Sequence, residues 1–323
     1  MRSWKIAFIL FITATSSISP GSASSPSKPT AVTNSTAEVR AKLQRAKEKQ
    51  SNLLSDAIVF DLPVTYNRQV AKWINHYQGP GRKWFRTWLE RSYRYLPYIQ
   101  RELREQNLPL DLAYMVMVES GFSHHAKSSA DAVGPWQFIE STAARYGLRI
   151  NWWLDERRDL KKSTRAAIAY INDLYSDFGS WYLVAASYNM GENGLRRRIA
   201  RYGTRDFWQL IQLGALPEET QNYVPKIIAT MMIAKAPSLY GFRNLERREP
   251  LEYDMVYAPG GTHLDDLASI LGVTRKTMKD LNAELILGYI PRQVSGHMIR
   301  VPKGAARMIA GALKAETTNT RVE

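Results

Sequence analysis

The amino-acid sequence predicts a mainly α-helical protein in which a large helical domain precedes a small βααβ unit. Three observations carry this reading. From about Val64 to Lys235, apolar residues recur at helical spacing in one segment after another. No run of alternating strands interrupts them. Beyond "APSLYGFRNLERREP", a stretch rich in Pro, Gly and charge, the pattern becomes strand, helix, helix, strand within about 50 residues.

In chain order, the first residues read as an address. "MRSWKIAFILFITATSSISPGSA" sets Arg2 and Lys5 before an apolar stretch from Ile6 to about Ile12, then small residues ending at Gly21-Ser22-Ala23. This is the pattern of a signal peptide over 1–23, cleaved after Ala23, and its apolar part is short of the roughly 20 residues a membrane span needs. Residues 24–59 are expected to be a linker: "SSPSKPTAVTNST" is Ser/Thr/Pro-rich and flexible, and "AEVRAKLQRAKEKQSNLL" reads as a charged, solvated helix. The helical domain is placed at 60–240. There "RKWFRTWLERSYRYL" sets Phe85, Trp88, Leu89 and Leu96 near one face, with Arg and Lys opposite. "TRAAIAYINDLYSDF" lays Ala167, Ile168, Ile171 and Leu174 in a stripe, and "RDFWQLIQL" and "TQNYVPKIIATMMIAK" add two further helices. The small unit is placed at 250–304, with "EYDMVYA" and "HMIRVP" as strands and "HLDDLASILG" and "TRKTMKDLN" as helices. It has no second copy, so it is not a repeat array, and 305–323 is expected to be a C-terminal tail.

Composition narrows the functions. With 45% hydrophobic residues the chain can bury a substantial core. The absence of Cys excludes disulfides, thiolate catalysis and Cys-ligated zinc. The net charge of +14 fits a polyanionic partner, and export makes nucleic acid a poor one. His76, His124, His125, His263 and His297 show no metal-ligand spacing and read as surface residues. There is no G-x-S-x-G elbow, and "GPGR" at 79–82 is a turn rather than a phosphate cradle.

One carboxylate stands out. In "DLAYMVMVESGF", Asp111 is suited to capping a helix whose residues Leu112 to Val118 are apolar apart from the Tyr114 hydroxyl, and Glu119 ends that run. Leu112, Met115, Val116 and Glu119 share a face by their spacing of three and four. In so apolar a setting the Glu119 carboxyl would hold its proton near neutrality and could act as a general acid. A Glu that turns out to water before Gly121 accounts for the segment equally well. Farther along, "AVGPWQF", "AASYNMG" and "ETQNYVPK" offer Gln137, Tyr188, Asn189 and Tyr223 as polar groups able to face a cleft, Tyr223 with a hydroxyl that could hold Glu119. Taken singly, each of these is more simply a packed aromatic or a capping amide.

Taken together and in order, "VESGF", "AVGPWQF", "STAARYGLRIN", "DERRDLKKSTRAA", "SYNMG" and "PEETQNYVPK" resemble the lytic transglycosylases of goose-type lysozyme fold, specifically the membrane-bound murein transglycosylase D group, over about residues 60–235. Pro135 stands where that family usually has Leu, and Ser187 and Met190 replace the commoner Ala neighbours of the Tyr188-Asn189 pair. "LASILGVTRKTMKDLN" resembles a LysM module, the small peptidoglycan-binding unit. Relatives in the group often carry a lipid-attachment Cys and several LysM copies; this sequence has no Cys and one LysM-like segment.

The resemblance implies a lysozyme-like helical catalytic domain with a C-terminal LysM-like module, acting on peptidoglycan glycan strands in the periplasm, without metal or organic cofactor. It implies that Glu119 protonates the oxygen between N-acetylmuramic acid and N-acetylglucosamine, then takes the proton of the muramyl C6 hydroxyl as that oxygen attacks C1. Gln137, Tyr188 and Asn189 would bind the sugar, and Ser120 and Tyr223 would orient the acid. The matched motifs supply one carboxylate where ordinary glycosidases use two, which favours an anhydro product over hydrolysis. The rival readings are a lysozyme-type hydrolase on the same fold and a non-catalytic wall-binding protein. The excess positive charge would serve association with the cell wall or the membrane surface.

Overall fold

The computed structural model describes residues 6–7 and 58–319, with side chains over 58–314. The expected signal peptide and linker lie outside these residues, apart from Ile6–Ala7 (β1) and Val59–Phe60 (β2), which pair antiparallel. Those strands belong to one of two units of the chain, Met1–Asp61. The other unit, Leu62–Glu323, holds both the helical domain and the small C-terminal module.

The helical domain forms where periodicity and end signals agree. Helix α1 (Arg68–Gln78) starts at Asn67, whose side chain accepts a hydrogen bond from the Val70 amide at 3.0 Å, and it buries Val70, Ile74 and Tyr77 at spacings of four and three. Helix α2 (Arg82–Glu105) buries Phe85, Leu89, Ile99 and Leu103, while Trp88 and Leu96 are half-buried. A 3₁₀ turn, Leu110–Ala113, leads into the short α3 (Tyr114–Ser120), and α4 (Glu140–Arg145) follows after a loop. Helix α5 (Leu160–Phe178) is capped by Asp159, which accepts from the Lys162 amide at 2.9 Å. Its stripe of Ala167, Ile168, Ile171 and Leu174 is buried as the sequence predicts. Then come α6 (Trp181–Met190), α7 (Glu192–Tyr202), α8 (Phe207–Gln212) and α9 (Glu218–Lys235). Helix α9 is the central one. It buries Tyr223, Val224, Ile227, Ile228, Met231 and Ile233 against α1, α3 and α6. Among the described residues no helix is long and apolar enough to cross a membrane.

The connection after α9 is held down along α2. Arg82 donates to the Gly241 carbonyl at 2.6 Å, Arg86 to that of Arg243 at 3.1 Å, and the Leu251 amide to that of Arg94 at 3.0 Å. The chain then enters β3 (Tyr253–Pro259), α10 (Leu264–Leu271), α11 (Arg275–Leu281) and β4 (Gly296–Pro302), the strands being antiparallel with Val256 opposite Ile299. The expected tail at 305–323 is instead helical over Ala306–Asn319 (α12), and Ile309 and Leu313 complete the core built by Val256, Leu264, Leu267, Met278 and Ile299. Two strands and two short helices leave one side of their core open, and the i, i+4 pair on α12 closes it.

The module is fused to the helical domain rather than tethered to it. Trp153 and Leu154, from the segment before α5, are part of the same apolar core. The Asp155 amide donates to the Glu284 carbonyl at 2.8 Å, and the Ile286 amide to that of Trp153 at 3.1 Å. Arg300 on β4 is buried between Glu284, to which it donates at 2.6 Å, and Asp159, the cap of α5. Removing the cation from such a cluster strands two buried carboxylates. Arg300→Met is therefore expected to destabilise the folded chain by about 3–5 kcal/mol, measured by urea unfolding.

Candidate active site

Glu119 lies in the last turn of α3. The turn before it, Tyr114 to Met117, is fully buried, as the apolar run predicts. Asp111 does not cap this helix. It is buried in the preceding 3₁₀ turn and pairs with Lys235 at 2.5 Å, tying the start of the segment to the end of α9. The helix stops at Gly121, where φ is +56° and an added Cβ would lie 2.1 Å from the Trp88 indole nitrogen. Only glycine permits both the left-handed turn and that close approach.

Glu119 is half-buried at this point, and desolvation of its carboxyl pushes the pKa up to about 7. Three neighbours act on the charge that remains. The Tyr223 hydroxyl, from α9, donates a hydrogen bond to Oε1 and favours the ionised form; Glu219 opposes ionisation and Lys226 favours it. The native pKa exceeds the ordinary 4.5, so the proton's contribution to stability is complete below about 4.5 and is lost as pH rises through about 7.

The loop opposite is built from "AVGPWQF". Gly134, with φ +85°, leaves no room for a side chain: a Cβ there would lie 2.0 Å from the Arg157 carbonyl oxygen. Arg157 in turn donates to the Asp131 and Phe138 carbonyls at 3.1 and 3.2 Å and pairs with Asp155 at 2.8 Å. Trp136 is fully buried and donates to Thr164 at 2.9 Å. The loop is thus pinned to the same 153–159 segment on which the C-terminal module rests.

The other expected site residues take distinct places. Ser120 donates to the Pro135 carbonyl at 2.8 Å, so it joins the end of α3 to the loop rather than touching the carboxyl. Gln137 adopts a left-handed φ of +51° and turns its amide nitrogen back to the Gly134 carbonyl at 2.9 Å. Tyr188 donates to the Trp136 carbonyl at 2.7 Å, and burial together with the Glu119 charge raises its pKa well above the ordinary value. Asn189 accepts from Thr220 at 2.7 Å and donates to Glu219 at 3.4 Å. Tyr223 is the member that contacts Glu119 directly. His124 is a packed residue rather than a surface one. It bonds the Arg158 carbonyl at 2.9 Å, and burial lowers its pKa.

Sequence reasoning missed Glu219, Thr220, Lys226 and Arg157. The first three share "ETQNYVPK" with Tyr223, and the i, i+4, i+7 spacing of Glu219, Tyr223 and Lys226 was the signal available. Glu219 also qualifies the picture of a single acid, since a second carboxylate acts on Glu119 through space. Among the described residues no group of three or more His, Asp or Glu is placed to hold a metal ion.

Two substitutions test this geometry. Tyr223→Phe removes a bond that favours ionisation, so the Glu119 pKa should move above about 7; titration of its carboxyl ¹³C shift reads this directly. Gly134→Ala forces a side chain into the Arg157 carbonyl at a positive φ, and should cost more than about 1 kcal/mol in urea unfolding.

Comparison with known proteins agrees with this arrangement. Residues 97–211 match the transglycosylase SLT domain, and residues 252–318 match the LysM-like domain of lytic transglycosylase MltD. Membrane-bound lytic murein transglycosylase D of Escherichia coli K12 is 36% identical over 194 residues, which is 58% of this chain and 42% of that protein. A putative tributyltin chloride resistance protein of Alteromonas is 32% identical over 170 residues, 47% of this chain and 82% of that one. The soluble lytic transglycosylase of Escherichia coli superposes with a TM-score of 0.40 at 19% identity, over 55% of this chain and 31% of that chain. The chain thus spans about two fifths of the length of the murein transglycosylase it matches. With an SLT domain carrying Glu119 and an MltD-type LysM-like domain fused behind it, the chain belongs to the lytic transglycosylases of the membrane-bound transglycosylase D group.

Proposed function

We propose that the protein is a peptidoglycan lytic transglycosylase of the cell envelope. Glu119 gives its proton to the oxygen joining N-acetylmuramic acid to N-acetylglucosamine, and the bond from that oxygen to C1 breaks. The glutamate so formed takes the proton of the muramyl C6 hydroxyl while its oxygen bonds to C1. The product is a 1,6-anhydromuramyl end, no water is consumed, and Glu119 finishes protonated. Tyr223 orients the acid, Tyr188 and Ser120 fix the loop across from it, and Gln137 and Asn189 bind sugar. Export to the periplasm and attraction of the basic surface to wall and membrane complete the reading.

The observation that carries it is the Glu119 carboxyl held near pKa 7 by burial and gripped by Tyr223. A group that titrates at the working pH can be acid in one half of the reaction and base in the other. A lysozyme-type hydrolysis is the second reading, and Glu219 favours it, because a second carboxylate in reach of Glu119 is what activation of a water would require.

Glu119→Gln should reduce release of soluble fragments from purified sacculi by about 10²–10⁴-fold with the fold intact; retained activity would remove Glu119 from the chemistry. Mass spectrometry of the wild-type digest separates the two reactions, with anhydromuramyl ends expected and reducing ends pointing to hydrolysis. A non-catalytic wall-binding protein would release nothing.

A further inference from the structure

Thr220 carries a buried hydroxyl that the proposed reaction leaves without a task. It lies in the first turn of α9, the helix that supplies Tyr223, and is 1% exposed. A threonine inside a helix can satisfy its hydroxyl on the carbonyl one turn earlier. Here that carbonyl, of Leu216, accepts from the Gln221 side chain at 2.7 Å. The Thr220 hydroxyl crosses instead to α6, where it donates to the Asn189 side-chain carbonyl at 2.7 Å.

The two ends of an Asn side chain have nearly the same shape and opposite hydrogen-bonding roles, so a site that needs one end must tell them apart. The partners of Asn189 do so from both sides. Glu219 is exposed, and a carboxylate accepts without donating, so the end that faces it at 3.4 Å is the nitrogen. The other end meets the buried Thr220 hydroxyl, and 2.7 Å is the length of a bond from an O–H donor rather than from an N–H. A reversed amide would set its carbonyl against the Glu219 carboxylate. The end of α6 is placed independently, because Tyr188 is tied to the Trp136 carbonyl at 2.7 Å. What remains to be set at Asn189 is the rotation of the amide, and that is what Thr220 decides.

We propose that Thr220 is a positioning residue for the glycan: its hydroxyl holds the Asn189 carbonyl on the buried side, so that the amide N–H is presented to an acceptor oxygen of the sugar. Thr220 acts through Asn189 and does not itself meet the substrate. The inference rests on the sugar-binding reading of Asn189 and gives that reading a polarity. An oxygen that accepts from Asn189 is favoured there over a hydroxyl that donates to it.

The test is a double-mutant cycle on the full chain, read as kcat/KM for soluble glycan strands. Thr220→Val keeps the shape of the side chain and removes the donor, and should lower kcat/KM about tenfold, the scale of one hydrogen bond. Thr220→Ser keeps the donor and should stay within about threefold of wild type. In an Asn189→Ala background there is no amide to hold, and Thr220→Val should change kcat/KM by less than about twofold. Thr220→Val as active as wild type, beside an impaired Asn189→Ala, would overturn the proposal and leave the sugar-binding reading standing. An equal loss in Thr220→Val and Thr220→Ser would overturn it by making the threonine a packing residue. A Thr220→Val loss of the same size with and without Asn189 would overturn it too. Full activity in Asn189→Ala would defeat the sugar-binding reading, and the proposal with it. Should wild type cut no strand, the cleavage reading falls. Calorimetric Kd values for the same strands then take the place of kcat/KM in the cycle, with the same patterns upholding or overturning Thr220.

Discussion

A carboxyl moved out of water favours its neutral form, and in this protein that preference is set by the apolar turn from Tyr114 to Met117 and by the helix end at Gly121. Most of the helical domain can be traced from this constraint. The turn is buried because α9 covers it, and α9 also brings Tyr223, Glu219 and Lys226 to bear on the carboxyl. Desolvation raises the pKa, while the Tyr223 bond and the Lys226 charge limit the rise, so the group titrates near neutrality. Burial without the bond would hold the proton more tightly; the bond without burial would favour the carboxylate.

A second dependence runs through residues 153–159. Trp153 and Leu154 enter the core of the LysM-like module, the Asp155 backbone pairs with that of Glu284, and Arg157 holds the loop that faces Glu119. Asp159 caps α5 on one side and receives Arg300 on the other. One short segment therefore supports the loop, starts a core helix and seats the module. This makes the C-terminal module part of the scaffold of the site, whatever affinity it has for glycan.

Much of this was legible in the sequence. The helical period from Val64 to Lys235, the βααβ pattern after the Pro/Gly-rich break and the order of the site motifs all survive folding, because each depends on residues close together along the chain. The amphipathic helix at Ala306–Asn319 was also written locally, in the spacing of Ile309 and Leu313, but a short segment at a chain end reads equally as a tail until there is a core for it to close. Asp111 shows the opposite limit. Its residue type and position suit a cap, and a lysine more than a hundred positions later takes it instead.

By itself the sequence determined that Glu119 ends an apolar run, that a glycine stands two places beyond it, and which family the ordered motifs resemble, since each of these is a matter of residue identity and near spacing. Tertiary structure alone decided what surrounds the carboxyl. Tyr223 lies 104 positions from Glu119, Arg300 lies 141 from Asp159, and Trp73 lies 149 from Asn222. Contacts of that range arise only when elements distant in the chain pack together. For the same reason the second carboxylate, Glu219, and the cation Lys226 that acts on Glu119 with it were visible as letters but not as neighbours.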